Sequence, residues 1–220
     1  MNLKGIIFDL DGTLADTFPV IFPAFQISLE KIFGRKFTED ELKAMFGPSE
    51  EGVFQRLVPD RWQECFQVYL EVYKELSPMY TQRFAGIEQV LELLEQRNIL
   101  RAVVTGKSIV SACVSLDILG LSGYFEIVKG GSTTGSIKVA CMREVLETWR
   151  IPPHQVAYVG DVASDMRFAK DVGLIPLGAA WYEKADPDSL QQEDAYEVFR
   201  SVKDFLDWLE TDHHAGGCSS

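Results

Sequence analysis

Lys4-Gly5-Ile6-Ile7-Phe8-Asp9-Leu10-Asp11-Gly12-Thr13 decides the fold. Gly5 to Phe8 is a short apolar run that ends against two aspartates, and Gly12 breaks it. Such a run reads as a buried strand closed by a tight turn. It has no polar alternation, as expected of a strand covered on both faces in a parallel sheet.

Working outward, the next residues are helical. Phe18, Ile21, Phe22, Phe25, Leu29, Ile32 and Phe33 recur every three or four positions, and Gly34 stops the helix. Asp16 with Thr17 is expected to cap it. Thr38 and Glu41 form a capping box for a helix to about Phe46, Ser49 to Val58 makes a third, and Asp60 caps a fourth along Trp62, Phe66, Tyr69 and Tyr73. That aromatic stripe is read as core of the helical segment. After Pro78 the pattern changes. Helices at 86–97, 107–119, 136–150 and 164–172 alternate with apolar strands at 99–105, 125–128, 156–159 and 174–177, and Ser201 caps a last helix over 202–210. Alternation of this kind implies right-handed crossovers and a parallel sheet between helical layers. The expected organisation is an α/β core (1–16 and 79–212), an all-helical insert after the first strand (17–78) and a disordered tail (213–220).

A parallel sheet turns its strand tips toward one crevice, the edge where open α/β sheets bind ligands. Here the tips supply Asp9 and Asp11 with Gly12, then Thr105-Gly106, then Lys138 at a helix start, then Gly160-Asp161 with Asp165 beyond. Four carboxylates so close take up a cation or raise each other's pKa. Hard oxygen donors without His or Cys select Mg²⁺ over zinc, and Mg²⁺ suits a phosphate oxygen. Lys107 reads as a solvated helix-start residue. The 47–52 loop is either an interhelical turn or a loop that enters the site. His154 reads as surface, and His213 and His214 lie in the tail. Gly106-Lys107-Ser108 lacks the glycine that a phosphate loop needs five positions earlier, where Arg101 stands. No GxSxG string supports a serine hydrolase.

The 220 residues carry 33 acidic and 21 basic side chains, a formal charge of −12. That balance argues against a nucleic-acid partner. It leaves an anionic substrate open, because a bound divalent cation reverses the local field. No run approaches the ~18 apolar residues of a membrane span, and the first apolar stretch runs straight into Asp9 and Asp11, so no leader is expected. Cys65, Cys113, Cys141 and Cys218 have neither zinc nor CxxC spacing and read as reduced thiols of a cytoplasmic protein.

The chain resembles the haloacid dehalogenase superfamily, and within it the phosphatases with a helical cap, such as phosphoglycolate phosphatase-like enzymes. Phe8-Asp-Leu-Asp-Gly-Thr-Leu14 is similar to the first motif, Val104-Thr105-Gly106-Lys107 to the second, Lys138 to the third and Val159-Gly-Asp-Val-Ala-Ser-Asp165 to the fourth. The resemblance implies a Rossmann-like three-layer core and a Mg²⁺-dependent phosphatase of a small phosphorylated metabolite. It implies Asp9 as nucleophile and Asp11 as acid/base. Gly12, Thr105, Gly106 and Lys138 would bind phosphate, and Asp9, Asp11, Asp161 and Asp165 the metal. Two departures stand out. Lys138 is followed by Val139 where many relatives have proline, which leaves Lys129 as a substitute lysine, and Gly106 replaces an amide side chain. Phosphosugar mutases keep both aspartates and are the alternative enzyme; a non-catalytic module on the same fold is the alternative of another class. The sequence leaves the oligomeric state open.

Overall fold

The computed structural model describes residues 2–45 and 47–211. The 213–220 tail, with His213, His214 and Cys218, and the expected helix end at Phe46 lie outside the described residues.

The main sheet has six parallel strands: β1 (Gly5–Phe8), β4 (Leu100–Val104), β5 (Ile127–Lys129), β6 (Val156–Gly160), β7 (Ile175–Ala179) and β8 (Glu197–Phe199), ordered β5-β4-β1-β6-β7-β8. β1 lies centrally, with Phe8 opposite both Val103 and Val159, so Asp9 emerges between the tips of β4 and β6. Helices α5 (Ile87–Gln96), α6 (Ile109–Leu119) and α10 (Val202–Thr211) are joined by α7 (Lys138–Trp149), α8 (Ala163–Val172) and the short α9 (Pro187–Gln192). Alternate β1 side chains feed two different apolar clusters. Ile6 and Phe8 pack with α5, α6 and α10, while Ile7 packs with α7 and α8. This is the expected three-layer α/β architecture, with the strand covered on both faces.

An all-helical insert follows β1. It comprises α1 (Phe18–Phe33), α2 (Glu39–Lys43), α3 (Glu50–Leu57) and α4 (Trp62–Tyr80). Val20, Phe25, Leu29, Val53, Phe54, Phe66, Tyr69 and Tyr73 are buried in an apolar cluster of the insert's own, so the aromatic stripe is core as read. The insert joins the sheet through a two-stranded antiparallel ribbon, β2 (Ala15–Asp16) with β3 (Gln82–Arg83).

Several boundaries differ from the sequence reading. The capping box at Thr38 forms, but α2 ends at Lys43. A 3₁₀ turn at Pro59–Arg61 precedes α4, so Arg61 rather than Asp60 is its first flanking residue, and α4 continues through Pro78 to Tyr80. Thr17 occupies the cap of α1 without bonding a helix amide, since its hydroxyl turns to Asp11. Ser201 does cap α10, accepting from the Asp204 amide.

Candidate active site

Each site residue is placed by the end of an element. Asp9 leaves β1 with its Oδ1 accepting the Leu10 amide at 2.7 Å. Asp161 follows β6 and accepts from the Thr13 hydroxyl at 3.3 Å. Asp165 lies in the first turn of α8, where the helix dipole favours an acid. Lys138 opens α7, and its Nζ donates to Asp9 Oδ2 and Asp165 Oδ1, each at 2.7 Å. Lys129 is engaged elsewhere, with Glu144 at 2.7 Å, so it does not substitute for Lys138.

Asp9, Asp161 and Asp165 are buried, and their oxygens come within 4.8 Å of one another. Burial pushes the Asp161 carboxyl well above the ordinary range, with the charges of Asp9 and Asp165 adding to it. Burial likewise lifts Asp165 to about 6, against the pull of Lys138. Burial opposes the charge on Lys138, yet Asp165 and Asp9 hold it well above the usual lysine range. Asp165 Oδ2 is buried with no hydrogen-bond partner. An orphaned carboxylate oxygen beside two further carboxylates is an all-oxygen donor set that fits a hard divalent cation.

Asp11 stands apart from that trio. It accepts from the Thr17 hydroxyl, and Lys107 Nζ lies 3.3 Å from its Oδ1. The solvated reading of Lys107 is therefore wrong. Its side chain is only 2% exposed, and it also faces Glu50 at 3.5 Å and the Tyr73 ring at 4.9 Å. Burial opposes the ammonium charge, but Asp11, the two tyrosines Tyr73 and Tyr69, and Glu50 hold its pKa well above the usual value.

Glu50 escaped the sequence reading as an individual residue. It lies in the insert, and its Oε2 accepts the Ser108 amide across the interface at 2.6 Å. The 47–52 loop thus enters the site, and Gly47, Pro48 and Glu50 line a cavity of about 220 Å³ with Asp9, Asp11, Thr105, Gly106, Lys107, Lys138 and Asp161. The signal available was Gly52. A Cβ there would fall 2.3 Å from the Thr133 carbonyl oxygen, so the insert's backbone touches the core's.

Gly12 is the one expected phosphate contact that does not line the cavity. Its amide donates to the Ala15 carbonyl at 2.9 Å, and its φ of +80° and missing side chain make room for Asp161. Thr105 lines the cavity with its hydroxyl accepting the Lys107 amide at 3.4 Å.

Fold and site together define an α/β enzyme with an acidic centre at its strand tips. Residues 6–178 match the haloacid dehalogenase-like hydrolase family. The phosphoglycolate phosphatase of Aquifex aeolicus is 31% identical over 183 residues, which cover 81% of this chain and 85% of that one. The pyrophosphatase PpaX of Bacillus pumilus is 25% identical over 207 residues, 93% of this chain and 92% of its own. A haloacid dehalogenase-like hydrolase from Streptococcus pneumoniae has the same fold, with a TM-score of 0.75 over 94% of this chain and 99% of that one at 24% identity. The chain belongs to the haloacid dehalogenase-like hydrolase family, and it is a hydrolase of the kind whose curated relatives are phosphatases. Among the described residues, no helix is long and apolar enough to cross a membrane.

Proposed function

We propose that this enzyme is a Mg²⁺-dependent phosphatase that hydrolyses a small phosphate monoester through an aspartyl-phosphate on Asp9, in a cytoplasmic setting. The observation that carries the reading is the meeting of Asp9, Asp161 and Asp165, with oxygens within 4.8 Å of one another, beside Lys138 at 2.7 Å from Asp9 and from Asp165, with Asp165 Oδ2 left unpartnered. Asp9, Asp161, Asp165 and the Asp11 main-chain carbonyl would hold the ion. Bound there, Mg²⁺ supplies positive charge that offsets the phosphoryl oxygens.

An Asp9 carboxylate oxygen bonds to phosphorus as the ester P–O bond breaks, and Asp11 gives its proton to the departing alcohol oxygen. Asp11 then takes a proton from water. The water oxygen bonds to phosphorus, the Asp9–phosphorus bond breaks, and inorganic phosphate leaves with Asp9 regenerated. Lys138 compensates the charge on Asp9 throughout. The Thr105 hydroxyl and the Gly106 amide hold phosphoryl oxygens, while Gly12 gives Asp161 its room. We read residues 1–16 and 79–212 as the core and 17–78 as a cap that excludes bulk water. The insert's separate apolar cluster and the slender β2–β3 ribbon support that division.

The test is phosphate release from a panel of phosphometabolites, with Asp9→Asn as the decisive variant. Asp9→Asn is expected to lower kcat by at least about a thousandfold, and EDTA to abolish release until Mg²⁺ is restored. An Asp9→Asn enzyme that keeps its rate would remove Asp9 as nucleophile.

A further inference from the structure

The cavity of about 220 Å³ has two chemically different ends. One is the acidic centre. The other is the insert's share of the lining, Phe18, Ile21, Phe25 and Val53 with Glu50, which Lys107 meets from the core at 3.5 Å. The charges of Glu50 and Lys107 are already spent. Lys107 Nζ lies 3.3 Å from Asp11 and 3.5 Å from Glu50. Glu50 also accepts from the Ser108 amide at 2.6 Å and from the Tyr69 hydroxyl at 3.3 Å. With Asp11 protonated as the acid, Lys107 is matched by Glu50, and with Asp11 ionised the end carries surplus negative charge; in neither state is the ammonium free for a ligand anion. Lys138, the other cation lining the cavity among the described residues, is held by Asp9 and Asp165 at 2.7 Å each.

A monoester that carries a second anion would place it against apolar side chains and next to Glu50, with no uncommitted lining cation to meet it. Burying an unpaired anion in such surroundings is strongly unfavourable. An uncharged alcohol meets no such penalty, and aromatic and aliphatic walls suit it. The Phe18 ring is held in place by stacking on Tyr182 at 5.3 Å.

We propose that the alcohol released by this enzyme is uncharged and largely apolar, and that Glu50, held by Lys107 and the Ser108 amide, is the residue that turns away esters with a second negative charge. The proposal rests on the phosphatase reading above. It sets this chain apart from an enzyme specialised for phosphoglycolate or pyrophosphate, since both put an anion at the Glu50 end. Glu50 is a specificity-determining residue here, with no part assigned to it in bond making.

The experiment compares kcat/KM for phosphoglycolate, its uncharged amide, butyl phosphate and pyrophosphate, using the full chain with Mg²⁺ and phosphate release as readout. Butyl phosphate and the amide are expected to exceed phosphoglycolate and pyrophosphate by tenfold or more. Glu50→Gln keeps an acceptor for the Ser108 amide and removes the charge. It is expected to raise the phosphoglycolate-to-amide ratio at least fivefold, whereas a purely structural role would lower both esters and leave the ratio unmoved. Phosphoglycolate turned over as well as its amide overturns the proposal while the phosphatase reading survives. An unmoved ratio in Glu50→Gln overturns the part given to Glu50. No phosphate from any ester brings down the phosphatase reading and the proposal together. The wild-type comparison decides the substrate class even where the variant fails to fold.

Discussion

A single missing side chain sets the position of Asp161. Gly12 has φ +80°, and a Cβ there would fall 2.2 Å from Asp161 Oδ2. Gly12→Ala therefore meets two costs, left-handed backbone strain of about 1–2 kcal/mol and displacement of a carboxylate from the acidic trio. We expect Mg²⁺ affinity, measured by calorimetric titration, to fall at least about tenfold, or about 1.4 kcal/mol. Asp161→Asn should lose comparable affinity without the backbone strain. Unchanged affinity in Asp161→Asn would show that Asp161 takes no part in holding the ion. Asp9, Asp11 and Asp161 were legible in the sequence because each follows an apolar strand and parallel strands end on one edge, and Asp165 was legible as the acid one helical turn beyond Asp161. Lys107 was not legible. Its counter-ion Asp11 lies 96 positions away in the sequence, and local pattern made a lysine after a strand look solvated. Glu50 was missed for the same reason, being one of several acids in a loop until the fold lays it on Ser108, 58 positions away.

At the scale of elements, helix α3 is the part of the insert that reaches the core. The Ser49 amide donates to the Ser132 carbonyl at 2.8 Å, Glu50 opens the helix, and Gly52 touches the Thr133 backbone. The obstacle to a larger residue at 52 is main chain, 2.3 Å from the ideal Cβ, so the helix and not a flexible side chain must yield. Gly52→Ala is expected to tilt α3 away and move Glu50 off Ser108. Catalytic efficiency on butyl phosphate should drop about tenfold, equivalent to about 1.4 kcal/mol of transition-state stabilisation. The melting temperature should fall as well, because α3 carries Val53 and Phe54 into the insert's apolar cluster, so the loss of efficiency is read at a temperature where the variant is folded. An unaltered kcat/KM would mean that the contact is incidental to turnover. Long periodic helices and apolar strands came through from sequence nearly to the residue, as with α1 at Phe18–Phe33. The two-residue strands of the ribbon did not, for a pairing that short has no hydrophobic period to read. α9 and β8 were also passed over. An Asp-Pro helix start at Asp186–Pro187 was there to be seen, but six helical residues followed by a three-residue edge strand carry too little pattern.

For the whole molecule, the acidic centre is a liability that the cation would remove. Three buried carboxylates face one lysine, and Asp165 is lifted from 3.8 to about 6, chiefly by burial. A carboxyl whose pKa is raised in the folded state holds its proton more tightly there than in the unfolded chain. Its stabilising contribution is full below about pH 4 and is lost as pH rises through about 6. Asp161 is shifted in the same direction. Near neutral pH the metal-free fold therefore carries these charges at a cost, whereas a divalent cation binds the ionised carboxylates and reverses it. Mg²⁺ at a hundred times its dissociation constant contributes about 2.7 kcal/mol. For a chain of this size, each kcal/mol is worth about 2–4 °C, so the melting temperature at pH 7.5 should rise by about 5–10 °C over that in EDTA. At pH 5 protons compete for Asp161 and Asp165, and the increment should shrink. Taking the Mg²⁺-minus-EDTA difference at each pH cancels the titration of carboxylates elsewhere that do not touch the ion. In Asp161→Asn the increment should be small at both pH values. Equal melting temperatures with and without Mg²⁺ at pH 7.5 would mean that the trio is held by Lys138 alone.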